Sequence, residues 1–252
     1  MNDTRPAIEF DNVSVTLGGV RILESVSAAV PRGSATAIIG PNGAGKTTVF
    51  NIISGKFPPS SGEVVFKGEG INALAPHARA RRGMARSFQI TNLFQKLSVL
   101  DNVLAGVRSR RGLRHHLLRE PRQDRQLVDE CEALLERVGL LDLRDTPVQE
   151  LAYGQQRALE LGVTLALEPD LILLDEPTAG MSRQETEEAT GMIKRVTGDI
   201  ACVIIEHDMN VVFSLADRIA VLHYGVILAC DAPEAIRCDQ RVKDAYLGEE
   251  GA

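Results

Sequence analysis

No stretch of this sequence approaches the roughly 20 consecutive apolar residues that a membrane-crossing helix needs. Any work at a membrane is therefore expected to go through a partner. The opening residues, Met1-Asn2-Asp3-Thr4-Arg5-Pro6, have no apolar core of the kind a signal peptide carries. A basic excess is also missing: the net charge is −6, which argues against a dedicated nucleic-acid binder. Cysteine is sparse and dispersed. Cys131, Cys202, Cys230 and Cys238 form no CxxC pair and read as reduced thiols of a cytosolic protein, not as a metal site or disulfide framework. Internal repeats, low-complexity tracts and sustained heptads are absent too. What is present is ordinary: 252 residues, 44% apolar and 25% charged, enough for one large globular domain or two small ones.

One stretch departs from the ordinary. Gly40-Pro41-Asn42-Gly43-Ala44-Gly45-Lys46-Thr47-Thr48 follows the apolar run 35–39 and precedes Val49-Phe50-Asn51-Ile52-Ile53. The order is buried strand, glycine-rich loop, helix. Glycines let backbone N–H groups turn inward around phosphate oxygens, and a helix starting near Gly45 points its positive end at the same anion. Lys46 can reach the β- and γ-phosphates, and the Thr47 hydroxyl can ligate Mg²⁺. The chain is therefore expected to bind a nucleoside triphosphate.

Two further strand ends add chemistry. Leu171-Ile172-Leu173-Leu174 runs into Asp175-Glu176, placing two carboxylates at the edge of a sheet where α/β proteins bind ligands. Asp175 suits Mg²⁺, and Glu176 suits polarisation of an attacking water. No Asn-Lys-x-Asp segment is present to read guanine, which speaks against a GTPase. His207 follows the strand 201–205 and is expected to meet the γ-phosphate; Gln89 also ends a strand, with a role that spacing alone does not reveal. Leu151-Ala152-Tyr153-Gly154-Gln155-Gln156-Arg157 opens a helix whose start favours an anion. One triphosphate already has its loop, so this second helix end suggests two chains that complete each other's sites.

The remaining segments read more plainly. Residues 7–30 and 63–66 are short strands. Residues 76–82 form a short helix whose Arg79, Arg81 and Arg82 are expected to make a solvated basic face. Residues 99–107 and 127–138 are helices, the second with a core-facing stripe of Leu127, Val128, Cys131, Leu134, Leu135 and Val138. Between them, seven arginines from Arg108 to Arg125 flank His115-His116. That segment reads as a mobile, solvated connection, with contact to anionic lipid or a partner as the alternative. Helices are expected over 184–196, 208–215, 233–237 and 241–247, with strands at 218–223 and 226–230.

Together these motifs resemble the ATP-binding cassette family over residues 6 to 248. The resemblance implies an α/β fold: a P-loop NTPase cassette with a RecA-like mixed sheet core, an N-terminal antiparallel β subdomain and an inserted α-helical subdomain. Residues 1–252 would form a single ATPase domain, with 1–89 and 163–252 as core and 90–162 as helical insertion. It implies ATP and Mg²⁺ as cofactors, Glu176 as base, His207 as switch, and Thr47, Asp175 and Gln89 around the metal. Gln89 would couple core to insertion, and Leu151, Ala152, Tyr153, Gly154 and Gln155 would meet the ATP of a second cassette. Ala85-Arg86-Ser87-Phe88-Gln89, Leu93-Phe94, Ile205-Glu206-His207-Asp208-Met209, the Arg-rich insertion and Ala245-Tyr246-Leu247-Gly248 are similar to ATPase subunits of branched-chain amino-acid importers. Such subunits pair with an identical or related ATPase and two permease chains at the inner face of the bacterial plasma membrane, fed by an extracytoplasmic binding protein.

Three departures from the common pattern stand out. Leu17 stands where cassettes stack adenine on an aromatic, Ala152-Tyr153 where the signature has Ser and Gly, and Ser182 where an Asp is usual. Urea or amide uptake and export of lipid or lipopolysaccharide are the neighbouring alternatives. A soluble cassette of DNA repair or translation would carry a coiled coil or a second cassette, and a non-hydrolysing sensor would lack Glu176.

Overall fold

A computed structural model describes residues 5–87, 93–112 and 121–247. They form two compact units. The first takes Met1–Met84, Asp170–Glu176 and Thr197–Ala252; the second takes Ala85–Pro169 and Pro177–Val196.

The first unit is built on two sheets. Strands β1 (Ile8–Leu17) and β2 (Val20–Val30) form a hairpin closed by the two-residue turn Gly18-Gly19. With β4 (Ser61–Phe66) and β5 (Glu69–Gly70) they make an antiparallel sheet of order β2-β1-β4-β5. Residues 20–30, expected as short strands, are thus one 11-residue strand. Only partial alternation shows in the sequence because bulges shift the β1–β2 register between Phe10 and Val13 and again before Val15 and Thr16.

The second sheet has the order β10-β9-β3-β8-β7-β6, from β3 (Ala35–Ile39), β6 (Met84–Arg86), β7 (Leu171–Asp175), β8 (Ala201–Ile205), β9 (Arg218–His223) and β10 (Val226–Asp231). Strands β9, β3, β8 and β7 are parallel, which is why they read as unbroken apolar runs: both faces are covered. Helix α1 (Lys46–Ser54) buries Val49, Phe50, Ile52 and Ile53 in one core with Ile8, Phe10, Leu171, Leu173, Val203 and Leu222.

Helix α2 (Pro76–Arg81) overturns one expectation. Arg79 is not part of a solvated face; it is 2% exposed. Its guanidinium donates to the carbonyls of Ile52, Ile53, Ile71 and Leu74, so it closes the C-terminal end of α1. A cation there adds a donor to the carbonyls at the helix end and opposes the negative end of its dipole.

The second unit is helical: α3 (Val99–Arg110), α4 (Arg125–Arg137), α5 (Tyr153–Leu165) and α6 (Arg183–Thr197). Ser98 caps α3 by accepting from Asp101 N, and Asp124 caps α4 by accepting from Leu127 N, which starts that helix two residues before its apolar stripe. Val103, Val107, Cys131, Leu135 and Leu159 are fully buried. Burial pushes the Cys131 thiol up to about 12, so it is an inert core group. Where it is described, the Arg-rich connection carries ion pairs. Arg110 and Arg111 share Glu130, and Arg122 binds Asp101 and Asp145, both at 3.0 Å. Arg114, Arg119, His115 and His116 lie outside the described residues.

The last helices of the first unit are α7 (Met209–Leu215), α8 (Pro233–Cys238) and α9 (Gln240–Leu247). Asp208 precedes α7 as its cap, accepting from Asn210 N at 2.8 Å. Among the described residues no helix is long and apolar enough to cross a membrane.

Candidate functional site

The register of three parallel strands decides where the chemical groups meet. Ile38 of β3 and Asp175 of β7 are both level with Ile205 of β8. Adjacent strands lie about 4.8 Å apart, so β3 and β7 are separated by about 10 Å across β8. Gly40 begins just after β3, Glu176 just after β7, and Glu206-His207 just after β8. The phosphate loop, the two acids and the histidine therefore leave one sheet edge side by side, which is the ligand edge of a parallel sheet.

The loop itself is shaped by its glycines. Gly40 has φ 152°, and a Cβ there would lie 2.0 Å from the Leu222 carbonyl oxygen, so no other residue fits. Gly45 is the N-cap of α1, with no side-chain cap and no acid in the first turn. The first N–H groups of a helix have no partner within it, and this end carries no side chain to satisfy them. That is the chemistry an anion requires, and the residues present fit a triphosphate. Lys46 Nζ donates to the carbonyls of Gly40 at 2.6 Å and Pro41 at 2.9 Å, which holds the amine across the loop. Ala44 is buried, and its carbonyl accepts from Gly225 N at 3.2 Å, so the turn between β9 and β10 supports the loop.

Thr47 offers a hydroxyl and Asp175 a carboxylate, the hard oxygen donors that Mg²⁺ prefers. Glu176 stands with φ 47°, a left-handed conformation unusual for a side-chain-bearing residue. Its N–H donates to Ile205 O at 2.9 Å, which fixes the backbone while the side chain stays half-exposed. The Glu176 Oε1 to His207 Nδ1 distance is 3.8 Å. Glu206, next in the chain, is buried and accepts from His207 N at 3.1 Å, anchoring the histidine's backbone while its ring remains exposed. A left-handed acid at a sheet edge is a form of strain seen at sites that do work.

Leu17 ends β1 opposite Val20 at the hairpin tip, and both are exposed. Strand β2 then runs past the loop: a Cβ on Gly45 would lie 2.6 Å from Leu23 Cδ2. Gln89 lies outside the described residues.

In the second unit, α5 begins at Tyr153 with Ala152 as an N-cap that has no capping side chain. Gln155 Oε1 accepts from Ala152 N at 2.9 Å instead. Ser182 caps α6: its N–H and hydroxyl both donate to Glu185 Oε2, at 2.8 and 2.6 Å, and its Oγ accepts weakly from Glu185 N. Sequence reasoning missed the side chains behind Tyr153. Arg157 and Glu160 follow it at intervals of four and three, the spacing that stacks residues on one helix face, and this was the available signal.

A family model described as ABC transporter matches residues 23–179, and one described as branched-chain amino acid ATP-binding cassette transporter matches 226–252. The chain is 36% identical over 255 residues to the high-affinity branched-chain amino acid transport ATP-binding protein BraF of Pseudomonas aeruginosa, covering 98% of this chain and 99% of that one. It is 33% identical over 240 residues to the lipopolysaccharide export system ATP-binding protein LptB of Escherichia coli, covering 95% and 96%. Among solved structures it resembles the ADP conformation of MJ1267, an ATP-binding cassette of an ABC transporter, with TM-score 0.84 and 27% identity over 97% of this chain and 100% of that one.

Proposed function

This chain belongs to the ABC transporter family, and from that premise we propose that it is the ATP-hydrolysing subunit of an importer of branched-chain amino acids. The observation that carries the cargo is the branched-chain family match at residues 226–252, the part of the chain beyond the general cassette match. Identity to BraF along nearly the whole chain supports it. Transport then needs permease subunits, a second cassette, identical or related, and an extracytoplasmic binding protein. The chain would sit peripherally on the inner face of the plasma membrane.

The site residues take the following roles in this reading. The loop of residues 40–48 and the start of α1 hold the phosphates, and Lys46 turns its amine from the loop carbonyls to the β- and γ-phosphate oxygens. Thr47 and Asp175 would hold Mg²⁺, with Gln89 as the third group; when bound, the ion supplies positive charge beside the phosphoryl oxygens. Glu176 takes a proton from water as the water oxygen bonds to the γ-phosphorus and the bond to the β,γ-bridging oxygen breaks. His207 steadies the γ-phosphate. Leu17 packs on the base without the stacking an aromatic would give. Residues 151–155 reach the ATP held by the second cassette, and the insertion 90–162 moves with them.

Two measurements test this reading. Lys46→Ala is expected to weaken ATP affinity by about 10–100-fold, the worth of one or two charge-assisted hydrogen bonds. Titration with a fluorescent ATP analogue reads it directly, and unaltered affinity would remove Lys46 from the cradle. For the cargo, the subunit is co-purified with its permease and its ATPase is assayed against binding protein loaded with leucine, valine, urea or lipid. Stimulation by leucine and valine is expected. Stimulation by lipid alone would move the chain to the export reading that the likeness to LptB keeps open.

A further inference from the structure

Tyr153, Arg157 and Glu160 line one face of α5 and reach beyond it at both ends. Tyr153 Oη donates to Ala179 O at 3.0 Å and accepts from Arg157 Nη2 at 3.2 Å. The Arg157 guanidinium also lies 5.5 Å from the Tyr153 ring centroid. Arg157 Nη1 donates to Glu160 Oε2 at 3.1 Å, and Ser87 Oγ donates to Glu160 Oε1 at 3.1 Å. The chain of bonds is continuous: Ser87, Glu160, Arg157, Tyr153, Ala179. Ser87 stands two positions before Gln89, and Ala179 three positions after Glu176.

The ion pair at the centre is buried, with 15% of the Arg157 side chain and 7% of the Glu160 side chain exposed. Burial raises the Glu160 carboxyl above its ordinary range, and the bonds from Arg157 and Ser87 oppose that rise. Buried charges are costly unless they are well paired. The loop that Tyr153 grips turns just before α6. Its turn is closed by a long bond from Met181 N to Thr178 O at 3.3 Å, and Gly180 beneath Tyr153 has φ 80°.

We propose that Tyr153, Arg157 and Glu160 form a strut that makes the start of α5 and the loop 177–182 move as one piece. Tyr153 is the positioning contact and Arg157 the brace that aims it. The idea rests on the function proposed above, in which the start of α5 meets the second cassette's ATP and the loop follows the hydrolytic base. Through the strut, engagement of that ATP sets the position of the segment leading out of Glu176. An ordinary signature glycine at this place could not span to Ala179, so the Tyr153 departure is a device and not a defect.

The test uses the intact chain in complex with its permease and three variants: Tyr153→Phe, Arg157→Met and the double. Tyr153→Phe keeps the ring and its volume, so the fold is retained even if Arg157→Met is damaging. Amide hydrogen exchange without nucleotide is expected to speed up about 10-fold across residues 177–182 in each single variant, with buried β8 unchanged. In steady state kcat falls about 10-fold while KM for ATP stays within about two-fold, the mark of an interaction made after binding. The double variant matches the singles, since both remove one strut. Unchanged exchange at 177–182 in both variants overturns the strut, and so does a rise shared equally by β8, because that reports general loosening. The ATPase reading fails separately, if the wild-type complex hydrolyses no ATP, since the exchange arm needs none.

Discussion

Replacing Glu176 with Gln leaves ATP binding intact and lowers turnover by about 10²–10⁴-fold, the usual worth of a positioned general base. The amide has the same shape and cannot take the proton. Nothing else at the site needs to change. The Glu176 backbone is held by its own N–H bond to Ile205 O at 2.9 Å, which the substitution keeps. The carboxylate is half-exposed, so its loss orphans no buried partner. The nucleotide grip lies across the sheet edge at Lys46 and the start of α1, on a different strand from the acid. Binding and chemistry should therefore separate cleanly: equal affinity for a fluorescent ATP analogue, and a rate constant reduced in single-turnover hydrolysis. Turnover within two-fold of wild type would strip Glu176 of its role and pass it to His207, whose Nδ1 lies 3.8 Å from the carboxylate.

The site was largely legible because its parts are local. A glycine loop after an apolar run, two acids after another and a histidine after a third each declare themselves within a few residues. Parallel strands then bring three such ends to one edge without further instruction, since Ile38, Ile205 and Asp175 share a level. Where a group's partners come from distant segments, the sequence is silent. Arg79 looked like its neighbours Arg81 and Arg82, and only the fold sends one of the three inward to carbonyls of residues 52, 53, 71 and 74. Arg110 and Arg122 were hidden in the same way, because their acids lie 20 and 21 residues away along the chain. The bulged β1–β2 pairing shows the same limit in another form: the bulges interrupt period-two alternation, so two long strands read as several short ones.

Arg79→Met is expected to destabilise the protein by about 3–5 kcal/mol, since it takes a charged donor from several buried carbonyls at about 1–3 kcal/mol each. The cost does not come from lost packing, since Met fills much of the same volume. It comes from the Ile53 and Leu74 carbonyls, which lose the guanidinium, and from those of Ile52 and Ile71, which are left to the backbone N–H groups of Gly55 at 3.1 Å and Leu74 at 3.0 Å. Gly55 follows α1 with φ 78°, and a Cβ there would lie 2.7 Å from Arg79 Nε, so the chain is closed tightly around this one guanidinium. Arg79→Lys should recover only part of the loss, because an ammonium is a point donor and cannot fork among four acceptors. Urea unfolding of the three proteins gives the comparison, and a change below about 1 kcal/mol for Arg79→Met would show that water replaces the guanidinium. The consequence reaches the nucleotide. Helix α1 has nine residues, about 14 Å at 1.5 Å per residue, with Arg79 at one end and Lys46 and Thr47 at the other. A helix released at its C-terminal end tilts about its phosphate-binding end, so ATP affinity should fall even in the fraction that remains folded. That loss of affinity, measured well below the unfolding midpoint, separates a residue that aims the phosphate-binding helix from one that merely fills the core.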